Sequence, residues 1–204
     1  MSALSDRLST GIAELGLSIP QSTQNNLLAF LEFLQKWNKA YNLTAIDDLT
    51  AMVSAHLLDS LSIAPYLQGE LILDIGSGAG FPGIPLAFAY PEKKFVLLDS
   101  VGKKTRFLLQ AVSTFKILNV EVVQARMEKF NPSHCFDAII CRAVGTMADI
   151  VAKTERVLCP KGRWLMMKGE YPHEEMQALT KTAKAFDLKV PGLKAKRHVI
   201  VIEH

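Results

Sequence analysis

Cysteine is scarce in this sequence, whose 204 residues contain three, at positions 135, 141 and 159. An odd number of cysteines without C-x-x-C spacing argues against both a disulfide framework and a structural zinc site. We therefore expect Cys135, Cys141 and Cys159 to be reduced, mostly buried thiols. We also expect the protein to hold no metal.

Long apolar runs are also missing, although 49% of the residues are hydrophobic. Residues 1–10 include Asp6 and Arg7 and no apolar core, so the sequence predicts neither a signal peptide nor a membrane span. A cytoplasmic protein without a membrane partner is expected. The length and composition allow one domain with a substantial core, and we expect a monomer.

The net charge is small, at +3, and does not by itself indicate a nucleic-acid-binding protein. Its distribution is uneven. Residues 1–150 hold 12 Lys and Arg against 14 Asp and Glu, a net −2, whereas residues 151–204 hold 11 against 6, a net +5. A basic C-terminal region suits a polyanionic partner, and an ordinary solvated surface explains it equally well.

Two helices are predicted before the first strand. Apolar residues recur at three- and four-residue steps over residues 22–40, which predicts one amphipathic helix. A second helix is predicted over residues 49–60, with Asp47 and Asp48 as N-terminal caps. We expect residues 1–66 to form a helical extension that packs on a body of residues 67–204, within a single compact domain.

From Leu71 onward the pattern alternates between strands and helices, which predicts an α/β fold with a mostly parallel, Rossmann-like sheet. Two final strands, closely spaced, suit an antiparallel hairpin at the sheet edge. The predicted strands are 71–75, 95–99, 120–124, 137–141, 163–168, 188–190 and 198–202, and the predicted helices are 83–90, 103–116, 147–158 and 172–186. Ligands of such folds bind at the carboxyl ends of the strands.

A glycine cluster follows the first predicted strand. Asp74, Gly76, Gly78 and Gly80 have the spacing acid-x-Gly-x-Gly-x-Gly, whereas a dinucleotide site requires glycine where Phe81 stands. Because Asp74 precedes Gly76 by two positions, the run resembles the first motif of S-adenosylmethionine-dependent methyltransferases. That cofactor carries a sulfonium and a carboxylate instead of phosphates. A glycine-rich turn that binds nothing is the alternative.

Other strand ends hold polar side chains, each with two interpretations. Asp99 can accept hydrogen bonds from ribose hydroxyls or cap the next helix. Met127 and Glu128 can meet an adenine ring and its amino edge, or lie on a surface turn. Arg142 can pair with a cofactor carboxylate, with a phosphate, or with a surface acid. Lys168 can hold substrate or extend into solvent.

Several segments together resemble the bacterial RsmG (GidB) family over nearly the whole chain: 36–46, 56–61, 76–85, 97–100 and 141–143. The family commonly has Ser or Ala where this chain has Cys141. The resemblance implies an S-adenosylmethionine-dependent enzyme that methylates N7 of one guanine in the decoding region of 16S ribosomal RNA. It implies cofactor binding by Gly76, Phe81, Met127, Glu128 and Arg142, to which the broader methyltransferase pattern adds Asp74, Gly78 and Asp99.

Guanine N7 bears a lone pair and no proton, so its methylation needs positioning more than a general base. Arg126 or Arg197 is a candidate donor to guanine O6, although an arginine that bridged O6 and N7 would block the attacking lone pair. Cys141 is a weaker candidate for a nucleophile than for a packed thiol. His56 is a candidate either for a substrate contact or for a hydrogen-bonded structural histidine.

The expected partner is 16S ribosomal RNA, within the small ribosomal subunit or its precursor. Lysines in both terminal regions are weak candidates for phosphate contacts. Two other classes remain open: a methyltransferase of a small molecule or protein, and a non-catalytic ribosome assembly factor that retains the fold.

Overall fold

The computed structural model describes residues 3–204, and within this range no helix combines the length and apolar character that a membrane crossing requires. The chain begins with helices. Helix α1 was not predicted, whereas α2 matches the predicted helix over 22–40. The helical elements before the first strand are α1 (Ala3–Glu14), α2 (Gln21–Tyr41), α3 (Leu49–Met52), a π-helical segment (Val53–Leu58), α4 (Asp59–Leu61) and a 3-10 turn (Ala64–Tyr66).

The helix predicted over 49–60 is present, but its middle is π-helical. Asp48 caps it, since its Oδ1 accepts a hydrogen bond from the Ala51 N–H at 2.7 Å. The prediction for Asp47 was wrong, because its carboxylate instead accepts a hydrogen bond from the Asn38 side chain. A π-helical turn inserts extra backbone into a helix and is common at functional sites.

Helix α2 packs against the rest of the chain through aromatic rings. The ring of Phe30, fully buried, lies 5.7 Å from that of Phe81, 6.1 Å from Phe107 and 6.2 Å from Phe115. The apolar face that the sequence predicted for this helix is therefore the face that packs against Phe81, Phe107 and Phe115. The division at residue 66 into extension and body stays a prediction.

Seven strands form one sheet in the order β3-β2-β1-β4-β5-β7-β6. The first five pair in parallel, and β7 runs antiparallel to both β5 and β6. The predicted mostly parallel sheet with an antiparallel hairpin at its edge is confirmed. The strands are β1 (Leu71–Ile75), β2 (Lys94–Asp99), β3 (Val120–Gln124), β4 (Phe136–Arg142), β5 (Leu158–Lys168), β6 (Ala183–Asp187) and β7 (His198–Glu203).

Helices cover the parallel strands, and three of the four predicted helices are confirmed. The fourth, predicted over 172–186, was wrong. This segment instead forms a short helix followed by β6. The strand predicted over 188–190 was also wrong, since no strand forms there. Strand β6 pairs with β7 from Ala183↔Ile202 onward, and this long-range pairing overrides the local helical pattern. The helices are α5 (Gly83–Ala89), α6 (Gly102–Phe115), α7 (Met147–Thr154) and α8 (His173–Gln177).

The prediction of three reduced thiols was wrong for two cysteines. Cys135 and Cys159 form a disulfide, with their Cα atoms 5.0 Å apart, while Cys141 is free and buried. The pairing of Phe136 with Leu158 places the two cysteines at adjacent starts of β4 and β5. Cysteine spacing along the sequence did not show this register, since 24 residues separate the two positions.

Candidate functional site

The glycine loop between β1 and α5 lies at the carboxyl end of the sheet. Gly76 and Gly78 have positive φ angles of 66° and 59°, which favour glycine. A Cβ on Gly76 would collide with the Val144 side chain, whereas a Cβ on Gly78 would find its nearest neighbour, the Gly76 carbonyl oxygen, at 3.7 Å. The open space around Gly78 allows a ligand to approach the backbone closely.

Asp74 lies beneath this loop and is fully buried. Its Oδ2 accepts a hydrogen bond from the Gly83 N–H at 3.0 Å, whereas its Oδ1 has no partner among residues 3–204. Burial raises the pKa of this carboxyl from 3.8 to about 7, against the effect of the Gly83 hydrogen bond. An unpartnered buried oxygen is costly, and a cationic donor would satisfy it.

Asp99, at the end of β2, holds two backbone segments together. Its Oδ2 accepts from the Gly78 N–H at 2.9 Å, and its Oδ1 accepts from the Val101 N–H at 2.8 Å, immediately before α6. The interpretation of Asp99 as a helix cap is wrong, because Val101 is the N-cap of α6 and no side chain caps that helix. The interpretation as a ligand site stays open, since a carboxylate has about four lone-pair sites and can accept further hydrogen bonds from a ligand.

A cleft of about 340 Å³ opens beside Asp99 at the carboxyl ends of the parallel strands. A larger cavity of about 930 Å³ lies at the opposite, amino ends of β1, β2 and β3, away from the glycine loop. The strand-end rule favours the smaller cleft as the ligand site. The predicted site residues that line it are Gly76, Asp99, Arg126, Met127 and Glu128.

Phe81 does not line this cleft. Its ring is 4% exposed, stacks on His56 with centroids 4.5 Å apart, and lies 5.3 Å from the guanidinium carbon of Arg142. His56 also pairs with the Thr44 hydroxyl at 2.9 Å. Burial lowers the pKa of His56 to about 4, with a further contribution from the Arg142 charge, so the imidazole is neutral at pH 7. This geometry favours the structural interpretation of His56.

Arg142 and Arg197 meet at one carboxylate, that of Asp59. Arg142 Nη1 donates to Asp59 Oδ2 at 3.0 Å, and Arg197 Nε donates to Asp59 Oδ1 at 3.0 Å. The sequence analysis did not identify Asp59 as a functional candidate. A signal was available, because an acid within the apolar helix segment 57–61 requires a buried partner.

The polar residues at the remaining strand ends are paired or buried within the protein. Lys168 Nζ lies 2.8 and 2.9 Å from the two carboxylate oxygens of Glu175, which also accept a hydrogen bond from the Met147 N–H. Burial raises the pKa of Cys141 to about 12, with a contribution from the Asp74 charge. Cys141 is therefore a packed thiol and a poor nucleophile. Arg126 lines the cleft, whereas Arg197 does not line it and instead pairs with Asp59.

Sequence comparison identifies close relatives. The family model described as rRNA small subunit methyltransferase G (GidB) matches residues 23–200. A Coxiella burnetii protein named ribosomal RNA small subunit methyltransferase G is 54% identical over 201 residues, which cover 98% of each chain. A Nitrosococcus oceani protein of the same name is 50% identical over 196 residues, covering 95% of this chain and 92% of its own.

Structural comparison supports the fold class. A SAM-dependent methyltransferase from Aquifex aeolicus superposes with a TM-score of 0.61 at 18% identity, covering 80% of this chain and 97% of that chain. At this identity the likeness concerns the fold alone, and it confirms the predicted Rossmann-like methyltransferase architecture. The family model and the sequence relatives show that this chain belongs to the GidB family of small-subunit ribosomal RNA methyltransferases.

Proposed function

We propose that the protein uses S-adenosylmethionine to methylate N7 of a single guanine in the decoding region of 16S ribosomal RNA. The observation that carries the proposal is the cleft at the carboxyl ends of the strands, which is lined by Gly76, Asp99, Met127 and Glu128. Family membership supports the RNA substrate. A substrate in the small ribosomal subunit or its precursor implies a cytoplasmic location.

The residues that line the cleft, together with residues close to that lining in the chain, fit this cofactor. The unpartnered Asp74 Oδ1 would accept a hydrogen bond from the ammonium group, and Asp99 would accept from the ribose hydroxyls. Arg142 would pair with the carboxylate, while Met127 and Glu128 would meet the adenine. Gly76 and Gly78 allow close approach of the backbone, and Phe81 supports the loop from behind through its contacts with His56 and Arg142.

The bound cofactor supplies an electrophilic methyl group on sulfur. The protein needs no base for this substrate, because guanine N7 attacks through a free lone pair. Its task is to hold the purine in line with the methyl group. We propose that Arg126 or Arg197 donates to guanine O6 and leaves N7 free. The buried Cys141 is unsuited to the covalent route that cytosine C5 methylation requires.

Labelled methyl transfer tests the proposal. Purified protein is incubated with labelled S-adenosylmethionine and small ribosomal subunits from cells that lack the endogenous enzyme, and the labelled nucleotide is mapped by cleavage at 7-methylguanosine. We expect label at one guanine of the 16S RNA. An Asp74→Ala variant is the control, with less transfer because the cofactor binds more weakly.

The alternatives give different results. Label in proteins or metabolites, with none in RNA, would indicate a methyltransferase of another substrate. Binding to the subunit without any transfer would indicate an assembly factor. A protein that fails to bind S-adenosylmethionine would contradict both enzymatic interpretations.

A further inference from the structure

Asp59 is a buried carboxylate shared by two arginines from distant parts of the chain. It is separated by 83 residues from Arg142 and by 138 from Arg197. Its side chain is 1% exposed, whereas those of Arg142 and Arg197 are 23% and 25% exposed. A buried carboxylate with two charged hydrogen-bond partners restricts where both guanidinium groups lie.

Each arginine also retains donors that no acceptor within residues 3–204 uses. Arg142 donates from Nη1, to Asp59 and to the Ala55 carbonyl oxygen at 3.1 Å. Arg197 donates from Nε to Asp59 and from Nη1 to the Lys196 carbonyl oxygen at 2.8 Å. A guanidinium has five N–H donors, so both groups can still bind ligand oxygens while Asp59 holds them.

We propose that Asp59 is a positioning residue that holds Arg142 for the cofactor carboxylate and Arg197 for the RNA substrate at the same time. The inference rests on the proposed function and deepens it, since it joins the two ligand sites through one side chain that touches neither ligand. It predicts that the loss of one carboxylate affects the binding of both ligands.

The test compares substitutions at the three positions. Asp59→Asn keeps the size of the side chain and removes its charge. We expect it to weaken calorimetric affinity for S-adenosylhomocysteine and to raise KM for small ribosomal subunits, each by about tenfold or more. Arg142→Lys should mainly weaken affinity for S-adenosylhomocysteine, and Arg197→Lys should mainly raise KM for the subunits.

Asp137→Asn is the matched control. Asp137 Oδ2 accepts hydrogen bonds from the backbone N–H groups of Glu70 and Leu71 at 2.8 and 2.9 Å, at the amino end of the sheet. Its loss should lower Tm and leave both ligand constants unchanged. Equal changes in both ligand constants for Asp137→Asn and Asp59→Asn would overturn the inference, because a loss of stability alone would then explain them.

A folded Asp59→Asn protein with wild-type values of both constants would also overturn the inference. If that variant does not fold, Asp59→Glu keeps the charge and moves it by one methylene. It should change the same two constants in the same direction, and wild-type values in Asp59→Glu would contradict the role of Asp59.

Measurements on the wild-type protein distinguish a failure of this inference from a failure of the proposed function. If it transfers no methyl group to 16S RNA, the proposed function fails. The affinities for S-adenosylhomocysteine and for the small subunit can still be measured directly in every variant. A variant pattern confined to one ligand would then reject the positioning role by itself.

Discussion

At the scale of single residues, two glycines with similar φ angles allow the effect of backbone strain to be distinguished from the effect of lost ligand binding. Gly78 and Gly16 have φ angles of 59° and 70°, and a Cβ on Gly16 would meet nothing within 4 Å. Gly16 lies in the turn after α1, whereas Gly78 lies in the glycine loop. Valine at either position incurs the same left-handed strain, of about 1–2 kcal/mol.

We predict that Gly78→Val abolishes binding of S-adenosylmethionine, because the side chain fills the space that the ligand needs. Gly16→Val should lose similar stability and keep wild-type affinity. Calorimetry and thermal unfolding of the two variants make the comparison. Unchanged affinity in Gly78→Val would place the cofactor elsewhere.

The raised pKa of Asp74 predicts that cofactor binding depends on pH. Because burial raises its pKa to about 7, the free protein holds Asp74 protonated below that pH, and pairing with the cofactor's ammonium group requires the proton to leave. Affinity should therefore weaken as the pH falls below 7, approaching about tenfold per pH unit. The same raised pKa stabilises the free fold at low pH, and this contribution is lost as the pH rises through 7.

The measurement is calorimetric titration with S-adenosylhomocysteine between pH 5.5 and 7.5, a range set by the pKa of about 7 for Asp74. Asp74→Asn is the control, since it cannot ionise, and it should bind weakly at every pH. A wild-type affinity that does not change over this range would show that Asp74 does not pair with the ammonium group.

At the scale of elements, the disulfide joins the starts of β4 and β5, at the end of the sheet opposite the cleft. We predict that reduction lowers the free energy of unfolding by about 3 kcal/mol, because the bond closes a loop of moderate length in the unfolded chain. Affinity for S-adenosylhomocysteine should not change. Denaturant unfolding with and without reductant measures the effect.

Cys159→Ser controls for other effects of the reductant, since it lacks the bond and should not respond. Thiol titration of the unreduced, denatured wild-type protein should find one free cysteine, Cys141. Three titratable thiols would contradict the disulfide and restore the expectation from the sequence.

At the scale of the whole molecule, the helices before β1 complete both the core and the site. Phe30 of α2 contacts Phe81 and Phe107, and Asp59 of α4 pairs with Arg142 and Arg197. A fragment of residues 67–204 would expose the first set of contacts to water and leave the two arginines without their carboxylate.

We predict that this fragment does not unfold cooperatively and does not bind S-adenosylhomocysteine. Near-ultraviolet circular dichroism and dye binding, compared with the full chain, test the first part, and calorimetry tests the second. A fragment with a cooperative transition and native affinity would show that the division at residue 66 separates an independent body.

Local pattern was sufficient for most of the fold. Hydrophobic periodicity predicted α2 and the parallel strands, since short-range burial determines these elements. It failed at residues 172–186, where pairing of β6 with β7 decides the structure. For the site, strand-end reasoning led to Asp99, Arg126, Met127 and Glu128 at one cleft. It did not lead to Asp59, because neither arginine is near it in sequence.

The sequence by itself determined the family, the order of strands and helices from β1 onward, and the glycine loop, because these depend on residue types at short spacing. Only the tertiary structure decided which side chains meet: Asp59 with Arg142 and Arg197, and Cys135 with Cys159. The physical reason is that strand register and helix packing set these distances, and both arise from contacts between residues far apart in the chain.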